Sequence, residues 1–101
     1  MEELAVFWRD SGEPDAIYGG GAAIESGRLR LRGSDGRARV VRTVPGADVA
    51  VIAPGGADEA IGEFPSVRLE LRNGGSIVLA AVVGGAVFAR LVESLVSLLS
   101  G

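Results

Sequence analysis

The chain has 101 residues, 48% of them hydrophobic, a net charge of −3 and a pI near 4.9. It contains no cysteine and no histidine, which excludes disulfides, thiolate chemistry and ordinary zinc sites. The acidic balance argues against a nucleic-acid binder. All ten basic residues are arginine, a usage that points to a GC-rich, bacterial genome.

The length fits one domain, residues 1–101, with enough apolar material for a core of Val, Leu, Ile and Ala. The Met-Glu-Glu start is acidic and has no long apolar stretch, so no signal peptide is expected and the expected location is cytoplasmic.

Leu4 to Trp8 alternates as a short strand, with Leu4, Val6 and Trp8 on one face and Phe7 on the other. Arg9 to Gly21 is polar and glycine-rich and reads as a loop. Gly19-Gly20-Gly21 lacks the Lys-Ser/Thr and helix start of a phosphate-binding loop, so a flexible turn is expected there. Ala22 to Glu25 forms a second strand, and Ser26-Gly27 turns the chain. Arg28 to Arg32 alternates without a fault: Leu29 and Leu31 face inward, and Arg28, Arg30 and Arg32 face outward.

Gly33 to Gly36 is a hairpin turn, and Arg37 to Val44 is the returning strand, with Ala38 and Val40 inward and Arg37 and Arg39 outward. Arg42 falls on the inward parity, which predicts a β-bulge or strand end near Val41 or Arg42. Pro45 stops the strand, Gly46 to Asp48 turns, and Val49 to Ile52 follows. Pro54 to Phe64 reads as a long loop carrying Asp58, Glu59 and Glu63. Val67, Leu69 and Leu71 then alternate with Arg68, Glu70 and Arg72. Asn73-Gly74 is a strong hairpin signal, and Ser76 to Val82 returns with Ile77 and Leu79 inward.

Gly84 to Ser100 has the period of an amphipathic helix. Phe88, Leu91, Val92, Leu95 and Leu99 form its apolar stripe, widened by Val96 and Leu98. The uncharged run from Ser76 to Ala89 is shorter than the roughly 18 residues a membrane span needs.

These elements give a mainly β domain: seven antiparallel strands forming a barrel or sandwich, capped by helix 84–100. Several stretches carry a family resemblance: Gly27-Arg-Leu-Arg-Leu, Arg42-Thr-Val-Pro-Gly-Ala-Asp-Val, Val67-Arg-Leu-Glu-Leu, Asn73-Gly-Gly-Ser-Ile-Val-Leu and the final helix. In this order they resemble the pleckstrin-homology-like (PH-like) superfold, and within it the small bacterial PH and GRAM-like domains. The resemblance implies a non-catalytic binding module. Many phosphoinositide-binding members place a basic residue at the end of the first strand and a basic-x-Arg step on the second. Arg9 can match the first feature, but Asp10, Glu13 and Asp15 follow it, and Arg28-x-Arg30 falls one strand late.

One surface stands out chemically. Arg28, Arg30, Arg32, Arg37 and Arg39 are expected on one face of a two-stranded hairpin, suited to bidentate contact with an acidic protein segment or a lipid headgroup. A solvated outer face neutralised by the loop carboxylates is the plain alternative. With histidine, cysteine and lysine absent, no acid–base or nucleophile constellation can be placed, and no enzyme activity is expected. Asp58, Glu59 and Glu63 lack EF-hand spacing, and no metal or cofactor is expected. The expected partner is a protein, with an anionic membrane surface and a homo-oligomer as alternatives.

Overall fold

A computed structural model describes residues 3–13, 15–55, 61, 64–82 and 84–100. The elements are β1 (Leu4–Asp10), β2 (Tyr18–Glu25), β3 (Arg28–Ser34), β4 (Arg39–Pro45), a short 3-10 turn (Gly46–Asp48), β5 (Val49–Pro54), β6 (Ser66–Leu71), β7 (Ser76–Ala81) and α1 (Gly84–Ser100). All seven strands belong to one antiparallel sheet in the order β4-β3-β2-β1-β7-β6-β5. Consecutive strands are neighbours except β4 and β5. β7 returns to pair with β1, and β4 and β5, joined by the 3-10 turn, end up at the two edges. The sheet curls into a half-barrel, as an edge-to-edge connection this short requires.

The concave face holds the core. Leu4, Val6 and Trp8 of β1, Leu29 and Leu31 of β3, Val67, Leu69 and Leu71 of β6, and Ile77 and Leu79 of β7 are buried there, on the parity the alternation predicted. Helix α1 closes this face with Leu91, Leu95 and Leu98. The stripe is therefore narrower than expected. Phe88 and Val92 are half-buried at its flank, while Leu99 is 46% exposed and Val96 48% exposed. At 100° per residue, Leu91, Leu95 and Leu98 fall on one line, and Val92, Val96 and Leu99 are turned further round the helix.

The triple glycine belongs to strand β2, not to a loop. Gly19, Gly20 and Gly21 pair with Phe7, Val6 and Ala5 of β1 and with Ser34, Gly33 and Arg32 of β3. At Gly20 a Cβ would lie 2.1 Å from the Arg32 carbonyl oxygen. The backbones of β2 and β3 thus approach too closely for any side chain, which is where a strand interior favours glycine. Trp8 packs beside this close approach, its ring 4.6 Å from that of Tyr18, and its Nε1–H donates to the Arg32 carbonyl at 3.2 Å. A buried indole with its donor satisfied is the core anchor expected of the one tryptophan.

The bulge expected near Val41 or Arg42 does not form. β3 and β4 pair without interruption from Arg28↔Pro45 to Ser34↔Arg39. Arg42 stays on the inward parity because its guanidinium forms an ion pair with Asp10 at the end of β1. The irregularity lies on β5 instead, between Val49 and Val51. β4 also starts later than expected, leaving Arg37 and an exposed Ala38 in the preceding turn. There the Asp35 carboxylate accepts both their backbone N–H groups, at 2.9 and 3.0 Å. The Asn73-Gly74 turn forms as predicted, with Gly74 at φ 93°.

The convex face has its own small cluster. Ile61, Val78 and Ala80 are buried there and Phe7 packs against them, with the Phe64 ring 5.8 Å from that of Phe7. β7 is consequently buried on both faces, which accounts for its unbroken apolar run. Asp58, Glu59 and Glu63 lie outside the described residues. No helix among the described residues is long and apolar enough to cross a membrane.

Candidate functional site

β3 carries Arg28, Arg30 and Arg32 on its outer face, all exposed. Arg39 is exposed on β4 next to Ser34, and Arg37 sits in the turn between them. The cross-strand partners of the β3 arginines on β4 are Pro45, Thr43 and Val41, and on β2 they are Glu25, Ala23 and Gly21. No arginine faces another across the hairpin, so the cluster incurs no cross-strand like-charge cost.

The five arginines are not equivalent. Arg32 is engaged by Glu3: its Nε donates to Oε2 at 2.8 Å, and its Nη2 reaches Oε1. The Arg32 hydrogen bond, aided by the charges of Arg32 and Arg30, holds the Glu3 carboxyl below the usual carboxylate range, against a smaller opposing effect of burial. Arg32 is pushed up in turn, first by that hydrogen bond. Arg37 lies beside Asp35, whose carboxyl is held low by the Arg37 and Ala38 backbone N–H groups. Arg28, Arg30 and Arg39 form no ion pair among the described residues. Arg28 and Arg30, with Glu25, Ser26, Val41 and Thr43, line a shallow cleft running out to β4.

The cleft ends at a sheet edge, and the two edges of this sheet differ. Gly46 N–H donates to the Gly27 carbonyl at 2.9 Å, and pairing continues unbroken to Arg39. The alternation of an antiparallel ladder then aims the backbone groups of Val40, Arg42 and Val44 at β3, and those of Arg39, Val41 and Thr43 away from it. Pro45, which has no N–H to offer, falls on the outward parity, where its absence costs β3 nothing. Val41 is 59% exposed. On β5, Gly55 N–H donates to the Ser66 carbonyl at 3.0 Å, so Val51 and Ala53 face β6 and Ile52 faces out. The Val49–Val51 irregularity lies on one side of Ile52 and Pro54 on the other. A bulge and a proline are the devices that blunt an edge. β4 is therefore the longer open edge, and sequence reading missed it because it places the bulge on the wrong strand.

Among the described residues, no group of three or more acidic side chains is gathered to hold a metal ion. Tyr18 donates its hydroxyl proton to Glu13 Oε2 at 3.1 Å. Burial, then the Glu13 hydrogen bond and charge, push its pKa up, away from any value useful to a base near neutrality. Comparison with protein-family models, with curated proteins and with solved structures found no match.

Proposed function

We propose that this domain is a non-catalytic, PH-like module that binds a protein partner by accepting an extended segment along the β4 edge. The strand order β4-β3-β2-β1-β7-β6-β5 with a C-terminal helix supports the PH-like reading. The observation that carries the binding mode is the contrast between the edges: β4 turns Arg39, Val41 and Thr43 outward without interruption, whereas β5 turns out Ile52 between a bulge and a proline. Main-chain pairing at such an edge supplies affinity, and side chains on either face supply selectivity.

The test is to select binders from a displayed library of random heptapeptides and titrate them into the 15N-labelled protein. Amide shifts centred on Val41 and Thr43 support the reading. Shifts centred on Ile52, or on Val92 and Val96 of α1, contradict it.

A further inference from the structure

The charge around the β4 edge specifies the kind of segment it takes. We infer that the partner strand is acidic, with carboxylates at alternate positions on the convex side of the sheet, where Arg28, Arg30 and Arg39 receive them. The inference rests on the strand-addition reading above.

A strand added beyond β4 lies two strand spacings, roughly 10 Å, from β3. An arginine on β3 can cover that distance if the intervening side chain lets it pass and the acid reaches back. The same sheet already contains this arrangement. Glu3, just before β1, and Arg32 of β3 meet across the intervening strand β2. On the other side of β3, Arg30 stands opposite Thr43 and Arg28 opposite Pro45, two short side chains, and the cleft between them is open. Arg39 lies on β4 itself and would be a direct cross-strand neighbour of an acidic residue. The outer positions of β4 are Arg39, Val41, Thr43 and Pro45, so no carboxylate on that strand competes for the guanidinium groups.

The same charges select against other occupants. A second copy pairing through its own β4 would offer only Arg39, Val41, Thr43 and Pro45 on the convex side and would bring no carboxylate to Arg28, Arg30 or Arg39. Arg32 is occupied by Glu3, and Glu25 stands opposite Arg28. The arginine face is thus a narrow row beside an edge, not a broad basic plane of the kind that favours a membrane surface.

The test uses a heptapeptide alternating glutamate and valine between terminal threonines, and its glutamine analogue, measured by calorimetry against the full chain. The acidic peptide is expected to bind at least tenfold more tightly than the analogue at low salt. An Arg28→Glu/Arg30→Glu variant should lose that preference while keeping the weaker affinity for the analogue. Val41→Pro, which removes an outward N–H and leaves the β3 ladder intact, should weaken both peptides. Equal binding of the two peptides, lost in Val41→Pro, would overturn the acidic preference and leave strand addition standing. Binding of neither peptide would overturn both. Co-sedimentation with phosphatidylserine vesicles in place of peptide binding, or a dimer by sedimentation that Val41→Pro dissolves, would assign the edge to a lipid surface or to a second copy and overturn the inference.

Discussion

Glu3 and Arg32 meet across a strand that separates them, and they can do so because Gly21 has no side chain. Gly21 is paired with Arg32 on β3 and with Ala5 on β1. A Cβ at Gly21 would lie 2.4 Å from Glu3 Cδ. The ion pair takes one guanidinium out of the arginine row and ties the start of β1 to β3. Gly21→Ala should leave the fold intact, because the obstructing atoms belong to a flexible, exposed side chain, but it should separate the pair. The check is the Arg32 Nε–H resonance, which should move to the position it takes in a Glu3→Gln variant.

The pair also fixes a pH dependence. The Glu3 carboxyl is lowered in the folded state, chiefly by its hydrogen bond from Arg32. A group whose folded pKa is depressed contributes stability that is fully present above its unfolded pKa, about 4.3 for glutamate. That contribution is lost as the pH falls through the lowered folded value. Wild type and Glu3→Gln should therefore differ slightly in thermal midpoint at pH 7 and converge on acidification below pH ~4. Both partners are largely exposed, so raising the salt concentration at pH 7 should shrink the difference as well.

Arg42 and Asp10 form the second diagnostic pair. It joins edge strand β4 to β1, three strands along the curled sheet. The Asp10 side chain is 15% exposed and that of Arg42 34% exposed. Arg42→Ala should cost more than the ~0–1 kcal/mol of surface pairs and less than the ~3–5 kcal/mol of breaking a fully buried one. Urea unfolding of the two single variants and the double variant measures the coupling. Arg42→Met, which keeps much of the stem, should lose less than Arg42→Ala.

The helix separates two kinds of leucine. Leu95→Ala removes a fully buried side chain from the cap and should cost about 2–5 kcal/mol. Leu99→Ala, at a half-exposed position, should cost a fraction of that. If the two losses were equal, the cap would not be seated as described.

Much of this fold was legible from period alone. The Leu29/Leu31, Val67/Leu69/Leu71 and Ile77/Leu79 alternations and the Asn73-Gly74 turn gave strands, faces and a hairpin, and those faces form the core. The exceptions share one cause: local rules lost to contacts between distant residues. Gly19–Gly21 read as a loop because glycine weakens an isolated strand, yet Phe7 covers Gly19 and Glu3 covers Gly21. Arg42 read as a bulge because an inward charge needs a partner, and the partner lay on β1, far away in sequence. Leu99 read as core because a helical wheel does not say how wide the underlying surface is. For the candidate site, the outward parity of Arg28, Arg30 and Arg32 followed from alternation. That Arg32 is already paired with Glu3, and that β4 rather than β5 keeps the long open edge, follow from the three-dimensional register.

Amide hydrogen exchange, read residue by residue by NMR with and without the acidic heptapeptide, shows whether β4 is the edge that accepts a strand. In the free protein the Val41 and Thr43 amides should exchange rapidly, while those of Val40, Arg42 and Val44, bonded to β3, are protected. Saturation with peptide should slow Val41 and Thr43 and leave Ile52 of β5 unchanged. Protection of Val41 and Thr43 already present in the free monomer, or new protection at Ile52 in their place, would mean that β4 is not the edge that accepts a strand.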